Sequence, residues 1–202
     1  MNCESKNSDN FSISPKYNVN HWIEAYKSGV WKEMVEIFSD RLEGRFLEPI
    51  RLIAADEKIG KFSGFSIVTL DCLMIETLKQ FYDGEDKTEM DHATAFRDFF
   101  RGSPYFQDLA STKKAKTFYS HFRCGLMHQA QTKKKSLIKI KQRHMVQQVS
   151  SNIDDGLIID RVLFHQAIED EINRYKSMLI NCENEDMRKN FKKKMNIICN
   201  CT

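Results

Sequence analysis

Apolar residues recur at steps of three and four along most of this chain, which is the period of a helix that buries one face. The first long stripe consists of Trp31, Met34, Val35, Phe38, Leu42, Phe46 and Ile50. Residues 65–82 are apolar on most sides and end at Asp83-Gly84, as a buried helix does. A third stripe is formed by Leu163, Phe164, Ala167, Ile168, Ile172, Tyr175 and Leu179. The pattern therefore predicts an all-α helical bundle.

Shorter segments complete this prediction. Residues 20–28 and 93–101 have short amphipathic patterns, and residues 184–198 predict a basic C-terminal helix. The first seventeen residues are rich in Asn and Ser, so we expect a flexible tail over 1–17 and a single helical domain over 18–202.

One further helix is predicted over about residues 112–131. The side chains expected to face the core are Ala115, Phe118, Phe122, Leu126 and Met127. The lysines at 133–135 follow this helix, where cations favour the negative end of its dipole. Contact with nucleic acid explains the same three lysines equally well, and both interpretations stay open.

The strand signal lies between these helices. Residues 137–141 alternate apolar and basic side chains, and residues 157–159 follow an Asp-Gly turn signal. We expect a small β-ribbon inserted around residues 136–159.

Charge is distributed unevenly along the chain. Between Asp108 and Asp154 there are ten Lys or Arg residues and three His, without a single acid. The whole chain has a net charge of +3, so the remainder carries a net charge of −7. Such a basic segment favours a polyanionic partner, although a solvated surface explains it as well.

The segment Phe122-Arg123-Cys124-Gly125-Leu126-Met127-His128-Gln129 contains the candidate chemistry. A guanidinium can bind a phosphate through two N–H groups, and an imidazole can transfer protons near neutral pH. Together with the basic surroundings, Arg123 and His128 indicate a phosphodiester substrate, RNA above all.

This Arg-x4-His pattern, late in a helical domain, resembles the HEPN superfamily. The Gly-Phe-Ser-Ile-Val helix and the Ser-Pro-Tyr-Phe turn before it are similar to a group of bacterial HEPN-like proteins. The resemblance implies a helical bundle of HEPN type and a metal-independent endoribonuclease, of the kind found in toxin and antiviral systems. It implies cleavage by attack of the ribose 2′-hydroxyl, with Arg123 and His128 as catalytic residues and no cofactor.

The motif departs from the family pattern at one position. Active HEPN members usually have Asn, Asp or His after the arginine, whereas this chain has Cys124. A thiol donates and accepts hydrogen bonds weakly, so the activity of the site depends on what Cys124 contacts.

Helix geometry indicates a homodimer. Arg123 and His128 point about 140° apart on an ideal helix, so one helix cannot direct both at one phosphate. Two copies related by a two-fold axis can, and Gly125 permits a close backbone approach. HEPN ribonucleases resemble this arrangement, since their composite site forms where two motif helices meet.

Further candidates for substrate binding are Cys124, His121, Lys116, Tyr119, Lys133, Lys134 and Lys135. His121 lies seven residues before His128 and hence on nearly the same face of an α-helix; a surface histidine is the simpler interpretation. Glu76 and Asp71 interrupt an apolar helix. Glu76 either anchors Arg123 through an ion pair or faces solvent. The same two interpretations, an anchor or an exposed acid, apply to Asp71.

A non-catalytic alternative remains. Arg123 then pairs with an acid of a neighbouring helix, His128 is an interface histidine, and the protein is a dimeric module that binds RNA, a nucleotide or an antitoxin-like partner protein. A small-molecule sensor is a third interpretation.

The cysteines have no disulfide framework spacing, and the Cys199 and Cys201 pair lacks a second pair for a metal site. The chain shows no apolar run long enough for a membrane span and no secretion signal, so we expect a cytoplasmic protein with reduced thiols.

Overall fold

The computed structural model describes residues 10–150 and 155–201. These residues are mostly helical, which confirms the predicted helical class. The α-helices are α1 (Val19–Ser28), α2 (Trp31–Leu42), α3 (Glu48–Ala55), α4 (Gly64–Asp83), α5 (His92–Gly102), α6 (Thr112–Phe118), α7 (Cys124–Gln129), α8 (Arg161–Asn181) and α9 (Glu185–Ile198). The strands are β1 (Leu137–Lys139), β2 (Val146–Ser150) and β3 (Asp155–Asp160). Short 3₁₀ turns cover Gly60–Phe62 and Pro104–Leu109, and π-helical turns cover Glu43–Leu47 and Tyr119–Arg123.

The chain divides into two compact units. The first contains the described parts of Met1–Arg51, Gln80–Lys87 and Asn173–Thr202, and the second contains those of Leu52–Lys79 and Thr88–Ile172. Helices α4 and α8 contribute residues to both units. The candidate motif lies entirely in the second unit.

The first unit has a core of aromatic side chains around Phe191. Phe38, Phe81, Trp22 and Tyr175 lie around this ring, with centroid distances between 5.6 and 6.4 Å. The ring contacts are mostly edge-to-face or tilted, as the aromatic quadrupole favours. The five rings come from α1, α2, α4, α8 and α9.

The C-terminal part of the predicted tail, residues 10–17, is packed against other residues of the chain. Ile13 and Ser14 are buried, and Arg41 donates a hydrogen bond to the carbonyl of Ile13. Residues 1–9 lie outside the described part of the chain. The polar composition of residues 1–17 suggested a loose segment, but residues 10–17 pack within the first unit through the buried Ile13 and through hydrogen bonds with Glu36, Arg41 and Arg45.

Phenylalanines form most of the core of the second unit. Phe118 stacks on Phe122 and on Phe164, with centroids 5.2 Å apart in both pairs. The predicted core positions of the motif helix are buried, except that Met127 is 54% exposed. Phe62 and Phe65, in contrast, are 75% and 37% exposed and lie outside this core.

The inserted β structure has three strands in the order β1-β3-β2. Strand β1 is parallel to β3, with Leu137 opposite Ile158, and β2 is antiparallel to β3, with Val146 opposite Ile159. The predicted pairing between residues 137–141 and 157–159 therefore exists. The additional strand β2 covers the other edge of β3, so β3 occupies the centre of the sheet.

The motif helix is helical from Thr112 to Gln129, but it is not a regular α-helix. The π-helical turn Tyr119–Arg123 interrupts it, and Ala130 ends it in the left-handed conformation with φ 51°. A π turn accommodates one extra residue, which displaces the faces that follow it. His121 is consequently 7% exposed, whereas His128 is exposed, so the prediction that both lie on nearly the same surface face is wrong.

Gly125 lets the following loop approach this helix. The Gln131 amide donates a hydrogen bond to the Gly125 carbonyl, and a β-carbon at Gly125 would lie 2.5 Å from the Gln131 carbonyl oxygen. The close approach that the sequence suggested at Gly125 thus occurs within the chain.

Gly125→Ala is expected to lower the free energy of unfolding by about 1–3 kcal/mol, because backbone must move to relieve this overlap. Urea denaturation measures the change. Gly102→Ala is the matched control, since a β-carbon at Gly102 meets no atom within 4 Å. Equal stability of the two variants would contradict the overlap at Gly125.

Candidate functional site

Arg123 is fixed by a carboxylate on the neighbouring helix α4. Its Nε donates to Glu76 Oε1 at 2.7 Å, and its Nη2 makes a longer contact of 3.5 Å with Glu76 Oε2. The arginine and glutamate side chains are 19% and 16% exposed. The hydrogen bond to Glu76 is the main cause of the raised pKa of Arg123, so the guanidinium is firmly charged. Of the two interpretations of Glu76, the structure supports the anchor.

The pair with Glu76 leaves part of the guanidinium available. A guanidinium has five N–H groups, and two of them point at Glu76, which leaves three for a ligand. The guanidinium carbon lies 5.8 Å from the centre of the Tyr119 ring, and His92 stacks on the same ring with centroids 6.3 Å apart. Arg123 is therefore oriented by a carboxylate and by an aromatic ring.

A cavity of about 120 Å³ lies beside this pair. Its lining residues are Thr69, Leu70, Cys72, Leu73, Glu76, Arg123 and Met127. Leu73 and Met127 are 43% and 54% exposed, so the cavity has an apolar rim that faces solvent. His128 is not among the lining residues.

His128 is exposed on the last turn of α7, and it makes no hydrogen bond or ion pair with the residues that the structure describes. It is five residues beyond Arg123, which corresponds to about 7.5 Å along the axis and about 140° around it. A single chain therefore does not bring the two motif side chains together.

Cys124 is hydrogen bonded to Tyr119, whose ring lies beside Arg123. The Tyr119 hydroxyl is hydrogen bonded to the Cys124 thiol; burial above all, and then this bond, raises the pKa of Tyr119 to about 12. Tyr119 consequently stays protonated at neutral pH. The thiol is partly exposed, so position 124 holds a weakly polar group that is bonded to its own helix.

His121 has a structural environment. Its Nδ1 shares a 2.9 Å hydrogen bond with Ser136 Oγ, which also accepts from the Leu157 amide at 3.0 Å. The His121 carbonyl accepts from the Lys133 amide at 3.0 Å. His121 is buried between the motif helix and the start of the sheet and is hydrogen bonded within the fold, so its place among the substrate-binding candidates stays a prediction.

The candidate lysines differ in position. Lys116 is exposed on α6, and Lys133, Lys134 and Lys135 lie in the loop after α7. Because α7 ends at Gln129, none of these three lies in the last helical turn, where the dipole effect is strongest. The dipole is thus a weaker explanation of the triple lysine than the sequence suggested.

A buried carboxylate and histidine pair was not recognised from the sequence. Asp71 is fully buried on α4, and its Oδ1 lies 2.7 Å from His165 Nδ1 on α8. Glu169 Oε1 lies 3.6 Å from the other nitrogen of His165. The available signal was an acid on an otherwise apolar helix, but nothing in the local sequence identified the partner.

Two general properties concern the described residues. In residues 10–150 and 155–201, no group of three or more His, Cys, Asp or Glu residues is arranged to hold a metal ion. In the same residues, no helix combines the length and apolar composition that a bilayer crossing requires.

Comparisons with protein-family models, curated proteins and solved structures give no match to this chain.

Proposed function

We propose that this protein is a metal-independent endoribonuclease of HEPN type that acts as a homodimer. The supporting observation is Arg123, which Glu76 holds at the rim of a cavity with three N–H groups left for a ligand. His128 projects into solvent from the same helix with its imidazole available. Both side chains lie in the acid-free basic segment, which favours a polyanionic substrate.

Each motif side chain has a role in this proposal. His128 acts as general acid or base when the ribose 2′-hydroxyl attacks the adjacent phosphorus. Arg123 binds the phosphate and offsets the charge that develops on its oxygens. Glu76 and Tyr119 position the guanidinium. The products are a 2′,3′-cyclic phosphate and a 5′-hydroxyl, and DNA is spared because it lacks the attacking hydroxyl.

The proposed dimer follows from the separation of the two side chains. Arg123 and His128 diverge on one helix, so a composite site requires the motif helix of a second copy. Leu73 and Met127 border the Arg123 cavity and are half exposed, which suits a contact with another protein surface. A biological role in a toxin or antiviral system is part of the same proposal.

Cleavage of single-stranded RNA by purified protein in EDTA tests the proposal. We expect fragments that end in a 2′,3′-cyclic phosphate, and an intact DNA strand of the same sequence. Arg123→Lys is expected to reduce the rate by about tenfold or more, because lysine lacks the fork that binds a phosphate at two points. Arg143→Lys is the matched control in the same basic segment.

Complementation tests the composite site directly. Arg123→Ala and His128→Ala proteins are each expected to be inactive, whereas their mixture forms heterodimers in which one site has both side chains. Activity that returns on mixing supports the shared site. Cleavage that persists in both single variants, or absence of cleavage by the wild-type protein, would overturn the ribonuclease proposal.

A non-catalytic binding module is the second candidate, and two observations favour it. Glu76 already occupies two N–H groups of Arg123, and the Cys124 thiol is bonded to Tyr119. This candidate predicts RNA retention that weakens with salt, or a stable antitoxin-like partner, without product formation. A filter-binding titration at two salt concentrations, run beside the cleavage assay, distinguishes the two candidates.

A further inference from the structure

A second, more basic cavity lies between the start of α4, strand β1 and the start of α8. It has a volume of about 280 Å³ and is lined by Lys61, Gly64, Ile138, Lys139, Ile140 and Arg161. Half of these lining residues are cations, and none of them is an acid. The cavity shares no lining residue with the one beside Arg123.

Arg161 is the buried cation of this cavity, with only 5% of its surface exposed. Its Nη1 donates to Ser63 Oγ at 2.9 Å, and its Nη2 donates to the Gly60 carbonyl. Its Nε is buried and has no hydrogen-bond partner among the residues that the structure describes. A buried donor without an acceptor is unfavourable, so the hydrogen-bonding capacity of this guanidinium is not used up by the described residues.

The carboxylate of Asp160, next to Arg161 in the chain, is hydrogen bonded to backbone amides. Asp160 interacts electrostatically with Arg161, but it is not a lining residue. Its carboxylate oxygens accept hydrogen bonds from the backbone amides of Gln142, Val162 and Leu163. Asp160 therefore caps α8, and its hydrogen-bonding capacity is largely used there.

Two long helices begin at this cavity. Gly64 is the first residue of the 20-residue helix α4, and Arg161 is the first residue of the 21-residue helix α8. The N-terminus of α4 carries partial positive charge, which adds to that of the three cations, whereas the N-terminus of α8 is already capped by Asp160. A β-carbon at Gly64 would lie 3.0 Å from Ile138 Cγ2 and 3.7 Å from Arg161 Nη1, so a larger residue would narrow the cavity.

We propose that this cavity binds a phosphomonoester. A phosphate dianion accepts from the terminal N–H groups of Arg161 that Ser63 and Gly60 leave over, and it pairs with the ammonium groups of Lys61 and Lys139. The volume approaches the lower end of small-molecule pockets, which leaves space beside the phosphate for an attached group against Ile138 and Ile140. A nucleoside 5′-phosphate and the phosphorylated 5′ end of a nucleic acid share this chemistry. The inference does not depend on the proposed ribonuclease activity.

Calorimetric titration of the full-length chain at low salt tests the site. The probes are uridine 5′-monophosphate, inorganic phosphate and uridine. We expect the nucleotide to bind more tightly than phosphate, and uridine not to bind. The Lys61→Gln/Lys139→Gln double variant is expected to weaken nucleotide binding by about tenfold or more, because two charge-assisted contacts are lost.

The control double variant Lys58→Gln/Lys193→Gln carries the same change of charge on two exposed lysines that do not line the cavity. It is expected to change the affinity by less than about twofold at this ionic strength. Ile140→Glu places an acid at the half-exposed wall of the cavity and is expected to abolish binding. Equal weakening by both lysine double variants would mean general charge attraction and would overturn the proposal.

A final comparison distinguishes the two sources of the phosphate. A short DNA strand with a 5′-phosphate, which the proposed nuclease spares, is compared with the same strand bearing a 5′-hydroxyl. Preference for the phosphorylated strand supports an end-binding site, and binding of the mononucleotide alone supports a free ligand. If neither phosphate probe binds, the cavity is not a phosphomonoester site.

Discussion

Replacing His128 by alanine is expected to lower the rate of RNA cleavage by about 10²–10⁴-fold, which is the usual contribution of a general acid or base. The fold should persist, because His128 is exposed and makes no hydrogen bond within the described residues. Initial rates with a fluorescent single-stranded RNA measure the effect. Unfolding in urea, measured in parallel, is expected to be unchanged, so the loss of rate reflects lost chemistry.

His144→Ala is the matched control for this experiment. His144 is the other exposed histidine of the acid-free basic segment, and it lies outside the motif helix. Its replacement removes the same type of side chain and is expected to leave the cleavage rate within about twofold, as for a surface substitution. A similar loss of rate in both variants would contradict a specific role for His128. An unchanged rate in His128→Ala would place any cleavage at another site.

The helical class could be predicted because apolar periodicity depends only on local sequence. Most residues of the stripes that contain Phe38, Phe118 and Phe164 are buried, although Met127 and Leu163 are 54% and 40% exposed, and the Leu137 and Leu157 segments pair as strands. Each of these predictions rests on the spacing of apolar residues and on turn signals in the sequence. The tertiary packing is consistent with this sequence pattern.

The surroundings of the motif were harder to predict, because a single π turn changes which side chains share a face. In a regular α-helix over residues 119–123, His121 would lie on nearly the same face as His128. The extra residue of the π turn instead places His121 in the interior. No local signal marked this turn. Ser136, which is hydrogen bonded to the His121 ring, lies 15 residues further along the chain, just before a sheet whose position only the fold defines.

The anchor of Arg123 was one of two interpretations that the sequence left open. Glu76 lies 47 residues before the arginine, so only the packing of α4 against the motif helix shows that the two side chains meet. The basic cavity at Arg161 was not predicted at all. Its residues come from three separate segments, and none of those segments has a phosphate-binding motif of its own.

Replacing His165 by alanine is expected to lower the free energy of unfolding by about 3–5 kcal/mol at neutral pH. The variant leaves the fully buried carboxyl of Asp71 without its hydrogen bond at 2.7 Å, and the other oxygen of Asp71 already has no partner among the described residues. Urea denaturation measures the change. His165→Asn is the matched variant, because its amide can donate from nearly the same position, and we expect it to recover part of the loss.

The cost of His165→Ala should also depend on pH, and the sign follows from the Asp71 carboxyl. Burial raises the pKa of Asp71, and the hydrogen bond from His165 opposes this effect, so the variant has a still higher pKa. A folded state with the higher pKa binds more protons than the unfolded state, and stability then falls as pH rises through that interval. The difference between wild-type and variant should therefore be largest near pH 8 and should narrow towards pH 5.

Urea denaturation of Asp71→Asn variants over the same pH range distinguishes the effect of the Asp71 carboxyl from the effect of lost packing. In the His165→Ala background, Asp71→Asn removes the ionisable group at this position, so the pH dependence of the deficit should disappear while a loss from packing remains. Glu169 stays in place in every variant, and its repulsive effect on the Asp71 charge is removed together with that charge. A deficit that is constant from pH 5 to pH 8 in His165→Ala itself would show that the carboxyl is not the cause. The Asp71 and His165 pair would then contribute to stability through packing and not through the ionisation of Asp71.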